Sequence, residues 1–183
     1  MFIISKLLQT VADSKPLLIA AGLSEALSMG VMIRRSGYLQ STFGGGLPPD
    51  LWIGIPEEKL YSYLDVIGGG GREAYRKINS WDFFPYMPSY MIFYGALLLI
   101  QCRSAQASNI SWLFIAAMLC DIIETGIFNY ATKQFPTHIS STIVRVASIA
   151  NEIKWVSFGF GMVSLVGLFV YNSLRRRNRL HKE

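Results

Sequence analysis

Two carboxylates, Asp121 and Glu124, stand inside an otherwise apolar stretch from Ile110 to Tyr130. That stretch is long enough to cross a hydrocarbon core of ~30 Å at ~1.5 Å per residue. A spacing of three sets both acids on one helix face, with Thr125 beside them. A charged acid at mid-bilayer depth costs about 3 kcal/mol on insertion scales. Some other segment must therefore face these two residues and offset that cost. Such acids can pass a proton or hold a cation, so the question is what the chain brings to meet them.

The elements that position them follow from the grouping of apolar residues. Of 183 residues, 51% are hydrophobic and only 16% charged, where soluble domains carry nearer ~25% charged residues. The chain reads as an all-α polytopic membrane protein: four transmembrane helices plus one or two interfacial amphipathic helices, in a single membrane domain over 1–183. The crossings are predicted at about 16–33, 83–102, 110–130 and 143–171. Pro16 suits a first helical turn, and Arg34 and Arg35 are expected to end the first crossing. Gly22, Ala26 and Gly30 repeat every four residues, a stripe that lets another helix approach.

Residues 36–80 are predicted to lie outside the membrane. Ser36 to Asp50, with Gly44, Gly45, Gly46, Pro48 and Pro49, reads as loop. Pro56-Glu57-Glu58 opens an amphipathic helix over about 56–67, which the run Gly68 to Gly71 is expected to end. That run lacks the lysine and hydroxyl of a phosphate loop and follows no strand. From Arg72 the pattern is helical again. Asp82 is then either an interfacial cap or a residue roughly 16 Å along a longer helix, depending on where the helix begins. The N-terminal residues Phe2 to Ala12 form a further amphipathic segment. They do not read as a cleavable signal, because Lys6, Gln9 and Thr10 interrupt the apolar run.

Depth arithmetic brings the polar residues of three crossings to one level. Measured from the side bearing the long loop, Glu25 and Asp121 lie roughly 13 Å deep, Glu124 roughly 9 Å, Asn151 roughly 12 Å and Lys154 roughly 16 Å. Asn151, Lys154 and Phe158 share a face, and Glu152 points away from it. The predicted cluster is Glu25, Asp121, Glu124, Asn151 and Lys154. Its specific pairing is Lys154 with Asp121, with Glu124 or Asn151 completing the shell. A buried ion pair that only fixes helix register is the plainer reading of the same residues.

Other chemistry is disfavoured. Cys102 and Cys120 have neither CxxC nor metal spacing, so no metal site is expected. His138 reads as a solvated loop residue. The tail 172–183, with Arg175, Arg176, Arg177, Arg179 and Lys182, reads as a topology signal and headgroup contact, not a nucleic-acid surface. Four crossings put both termini on one side, and the tail assigns that side as cytoplasmic, matrix or stromal; an organelle inner membrane fits.

The run Leu-Pro-Pro-Asp-Leu-Trp-Ile-Gly-Ile-Pro-Glu-Glu from Leu47, then Gly71-Arg72-x-x-Tyr75, Asp82, Pro85, Asp121-x-x-Glu124 and Lys154-Trp155, resembles a group of small uncharacterised four-helix integral membrane proteins. The resemblance spans most of the chain after Leu47. It implies a fold and a shared site, with Arg72, Tyr75 and Asp82 as supporting positions, and no activity. Thr125 stands where the pattern has asparagine.

The expected function is a non-enzymatic accessory or scaffold subunit of a larger membrane complex, contacting membrane lipids and other membrane-protein subunits. No cofactor is expected beyond bound lipids. The alternatives are a lipid- or sterol-type binding protein or intramembrane acid–base enzyme, and then a proton or cation pathway. A cavity lined by Asp121 and Lys154 would favour the lipid-type alternative, and a tightly packed layer would remove it.

Overall fold

The computed structural model describes residues 2–105 and 110–180. It is built from helices: α1 (Phe2–Asp13), α2 (Lys15–Phe43), α3 (Glu57–Val66), α4 (Gly68–Trp81), α5 (Met87–Ala105), α6 (Trp112–Gln134) and α7 (Ser141–Leu180). A 3-10 turn spans Pro49–Leu51, and a π-helical turn, Asp82–Tyr86, joins α4 to α5. Four helical rods are long and apolar enough to cross a membrane: α2, the joined α4–α5 over Gly68–Ser104, α6 and α7. The protein is all-α and polytopic.

Two sets of contacts define the ends of the bundle. At one end Arg103 pairs with Asp13, and the Asn172 amide donates to the Gln101 carbonyl at 3.0 Å. The start of α2 thus lies with the ends of α5 and α7. At the other end the Ile139 amide donates to the Tyr61 hydroxyl at 2.7 Å, and the Ile55 amide donates to Ser148 Oγ at 2.9 Å. There the segment 44–67 folds over the start of α7. Its core joins Leu60, Tyr61, Tyr63 and Leu64 of α3 to Tyr75, Ile78, Phe128, Val144 and Ala147. A second cluster packs Leu8 of α1 on Met87, Tyr90 and Met91 of α5 and on Ile115 and Met118 of α6.

Several boundaries differ from the sequence expectations. α2 does not stop at Arg34 and Arg35 but runs ten residues past Ile33, to Phe43. Arginine is a good helix former, and its long stem keeps the charge in water while the helix continues. Termination waits for Gly44, Gly45 and Gly46, whose φ angles are 76°, 81° and 75°, a region open to glycine at little cost. The loop is therefore 44–56, not 36–50. In the run Gly68 to Gly71 only Gly68 has positive φ, 63°; the run separates α3 from α4 and then forms the first turn of α4. A Cβ at Gly71 would lie 2.6 Å from Ile67 Cβ, so close approach of backbone explains that glycine.

The small-residue stripe is not a packed seam. A Cβ on Gly22 would meet the Phe93 ring at 2.9 Å, whereas Gly30 has open space and Ala26 is exposed. The face of α2 turned inward carries Glu25 and Ser28 instead. α7 extends beyond 143–171 to Leu180, so Arg175, Arg176 and Arg177 belong to the helix. Of the expected basic tail, residues 181–183 lie outside the described residues, as do 106–109 of the α5–α6 loop. His138 is an exposed loop residue as expected, and it also stacks on Tyr61 with ring centroids 3.6 Å apart, with Nδ1 3.6 Å from Glu57.

Candidate functional site: a charged layer at the floor of an apolar cavity

Lys154 is the hub. α6 and α7 pack along their length, and the periodicity of α7 turns Asn151, Lys154 and Ser157 inward while Glu152 stays exposed. Lys154 Nζ lies 3.2 Å from Asp121 Oδ1 and 2.6 Å from Glu124 Oε2. The Glu124 contact is an ion pair without aligned hydrogen-bond geometry. Nζ also donates to the main-chain carbonyl of Asp50 at 3.2 Å. The Asn151 amide donates to Glu124 Oε1 at 2.9 Å and to the same Asp50 carbonyl at 3.2 Å. Tyr90 of α5 donates its hydroxyl to Asp121 Oδ2 at 3.2 Å. Asp121, Glu124 and Asn151 are 5%, 0% and 0% exposed. One lysine thus serves two carboxylates on the neighbouring helix.

Asp82 is a second acidic element, at the break between α4 and α5. Pro85 cannot donate a backbone hydrogen bond, and Phe84 leaves helical geometry at φ −157°, ψ 107°. The break sets Asp82 inside the bundle, 5% exposed, where Thr125 donates to its Oδ2 at 3.2 Å. It is close enough to Asp121, Asp50 and Lys154 to feel their charges. The alternative of an interfacial cap is set aside, because the helix begins at Gly68, well before Asp82.

Asp50 was not anticipated. Its main chain is the shared acceptor just described, and its side chain keeps some exposed surface while Oδ1 is enclosed without a hydrogen bond. Burial pushes the Asp50 carboxyl above its usual range, and the Lys154 ammonium pulls it partly back. Behind it Tyr75 is fully buried. Its hydroxyl lies near Asp50 and Glu124 and lacks a well-aligned partner.

Other expected members lie elsewhere. Glu25 is buried but belongs to a separate contact, with the Ser89 hydroxyl 3.1 Å from its Oε2. It shares a face of α2 with the cavity-lining Met29, Met32 and Ser36 but lies nearer the start of the helix, where α5 supplies Ser89. Arg72 is a structural residue. It donates to the Leu64 carbonyl at 2.7 Å, tying α4 to α3, and its guanidinium lies 4.3 Å from the centre of the Phe135 ring.

The layer is not sealed. A cavity of about 530 Å³ opens between α2 and α7. Asp50, Asp82, Asp121 and Lys154 lie among its lining residues, together with Met29, Met32 and Ile33 of α2 and Trp155 and Phe158 of α7. α2 packs on α4 and α5, α7 packs on α6 and α5, and no comparable packing joins α2 to α7. The volume falls within the ~300–1,000 Å³ typical of small-molecule sites. Chemically, Tyr90 and Lys154 both donate to Asp121, one to each carboxylate oxygen. Among the described residues no three His, Cys, Asp or Glu side chains converge to ligate a metal.

Comparison with known family models, curated proteins and solved structures finds no match. The fold and site therefore define the class, an integral membrane helical bundle with a buried ion-paired cluster.

Proposed function

We propose that this protein takes an amphiphilic, lipid-type molecule from the bilayer into the cavity between α2 and α7. The hydrocarbon lies along Met29, Met32, Ile33 and Phe158, and the polar end meets Asp82, Asp121 and Lys154. The observation that carries this reading is an apolar-walled cavity whose floor is the buried charge layer. A layer that only fixed helix register would have no reason to open onto a hydrocarbon-lined space. The reading also assigns both termini to the cytoplasmic, matrix or stromal face, from the arginines that end α7. It treats the chain as one of the small four-helix proteins its sequence resembles, with Tyr75 beside the site and Arg72 tying α4 to α3.

Gly37 supplies the test. It lines the cavity on α2, and a Cβ there meets nothing within 4 Å. Gly37→Leu narrows the cavity without touching the charges. Native mass spectrometry from mild detergent should find a retained amphiphile on the wild type and loss of most of it on the variant. Equal retention by both proteins, or none by either, refutes the reading.

A second reading, the accessory subunit, has one observation in its favour. α2 and α7 leave broad apolar faces uncovered, including Leu23, Leu27 and Ile33 on α2 and Val163, Val166 and Phe169 on α7. A partner helix would cover them as well as lipid does. Co-purification of a stoichiometric second membrane protein in mild detergent supports that reading, and a monomer alone counts against it.

A further inference from the structure

The donors and acceptors at the cavity floor are unequal, and the imbalance specifies a ligand. An ammonium group has three N–H donors, and Lys154 has three acceptors around it: Asp121 Oδ1, Glu124 Oε2 and the Asp50 carbonyl. Both amide hydrogens of Asn151 go to Glu124 Oε1 and the Asp50 carbonyl. Tyr90 gives its hydroxyl proton to Asp121. Asn151 thus has no donor left, and the ammonium of Lys154 is already held by two hydrogen bonds and the Glu124 ion pair.

Carboxylate capacity remains. Asp82 is 95% enclosed, being 5% exposed, lines the cavity, and has no cationic partner among the described residues. Among the described residues its hydrogen bond comes from Thr125, reaches Oδ2 and leaves Oδ1 without a donor. Asp50, also in the lining, adds a negative charge, though its Oδ1 is enclosed near the Tyr75 hydroxyl and is not an open acceptor. The floor thus carries three aspartates with Glu124 behind them, against one lysine. The wall beside Asp82 and Asp121 is aromatic. Tyr86 and Tyr90 meet edge to face at 5.5 Å, Tyr90 and Phe158 at 5.8 Å, and Trp155 completes the lining. Aromatic faces attract organic cations. No three potential ligands converge on one point among the described residues, so the arrangement suits a bulky organic cation better than a bare metal ion.

We propose that the ligand of this cavity is a cationic amphiphile, a long-chain protonated or quaternary amine whose nitrogen sits against Asp82 beside Tyr86 and Tyr90, away from the Trp155 ring that Lys154 already covers. This rests on the cavity reading above and adds the class of head group.

The test uses the whole protein in dodecyl maltoside, a neutral detergent. Three C16 probes carry the same mid-chain diazirine and differ only in a terminal amine, alcohol or carboxylate. After photolysis, adducts are mapped by mass spectrometry. The amine should label the peptides bearing Met29, Met32 and Phe158 about ten-fold more than the other two, the scale of one charge-assisted hydrogen bond. Asp82→Asn should reduce amine labelling to the alcohol level and leave alcohol labelling unchanged, which also reports that the cavity persists. Wild-type protein gives a second readout: hexadecyltrimethylammonium should displace the amine probe, and hexadecyl sulfate should not. Equal labelling by amine and alcohol overturns the cationic assignment while the cavity reading stands, and so does preference for the carboxylate. Absence of labelling by all three, with wild type and Gly37→Leu alike, overturns the cavity reading itself.

Discussion

Lys154→Met removes the cation of the buried layer while keeping most of the side chain's volume. The loss is worked from its surroundings. Asp121 and Glu124, 5% and 0% exposed, keep their acceptors and lose the ammonium at 3.2 and 2.6 Å. Removing one partner of a buried pair costs about 3–5 kcal/mol, because the remaining charge is left uncompensated. Two carboxylates depend on this lysine, so the upper end of that range is expected. Glu124→Gln alone leaves Lys154 paired with Asp121 and costs less, about 1–3 kcal/mol. The triple variant Lys154→Met, Asp121→Asn, Glu124→Gln removes every charge at nearly constant shape and should recover more than half the loss of Lys154→Met. Equilibrium unfolding in mixed dodecyl maltoside and dodecyl sulfate micelles, followed by tryptophan fluorescence, measures each step. Coupled residues depart from additivity by about 0.5–3 kcal/mol. If the triple variant falls as far as the single losses summed, the three side chains do not act as one unit and the reasoning fails.

Other perturbations follow from single contacts. Tyr90→Phe leaves Asp121 Oδ2 without its donor at 3.2 Å and should cost about 1–3 kcal/mol in the same assay; a change below measurement would remove Tyr90 from the layer. Asp50→Asn should stabilise the protein in a pH-dependent way. Burial raises the Asp50 carboxyl in the folded state, so the wild-type residue carries no penalty below its ordinary value of about 4 and a growing one as pH rises above it. The advantage of asparagine should be absent at acid pH and increase toward neutrality, and a constant offset across pH contradicts this. Lys154, Asp121 and Tyr75 face the same group, so the comparison is made at fixed background. Gly71→Ala would bring Cβ to 2.6 Å from Ile67 Cβ and should destabilise by about 1–3 kcal/mol. Gly30→Ala meets open space and should stabilise by about 0.5–1 kcal/mol; equal effects at the two glycines would refute the packing account.

What the sequence made legible were the features that depend on neighbours in the chain. Acids three apart on one apolar helix, and a lysine on a shared face with an asparagine, are local facts. The contact of Lys154 with Asp121 and Glu124 follows once α6 and α7 are antiparallel neighbours. Counting residues along a helix could not fix which neighbour each polar side chain meets, which is why Glu25 pairs with Ser89 and not with the layer. Asp82 depended on a backbone break whose position is set by Pro85 and Phe84 together. Asp50 was hidden for another reason: it acts through a main-chain carbonyl, which every residue has, and reaches residues 101 and 104 positions away. Only the docking of the 49–51 turn on α7 reveals it. A polar residue beside Pro-Pro in an otherwise apolar turn was the one available signal.

That docking ties the outer face of the molecule to its interior. The Asp50 carbonyl receives both the lysine and the asparagine of α7, so the turn is a stopper seated on the charged layer that floors the cavity. Lifting it strips two bonds from beneath, and crowding those groups from within pushes on it. Occupancy below would then be written on the surface, as altered protease nicking or amide exchange between residues 44 and 56.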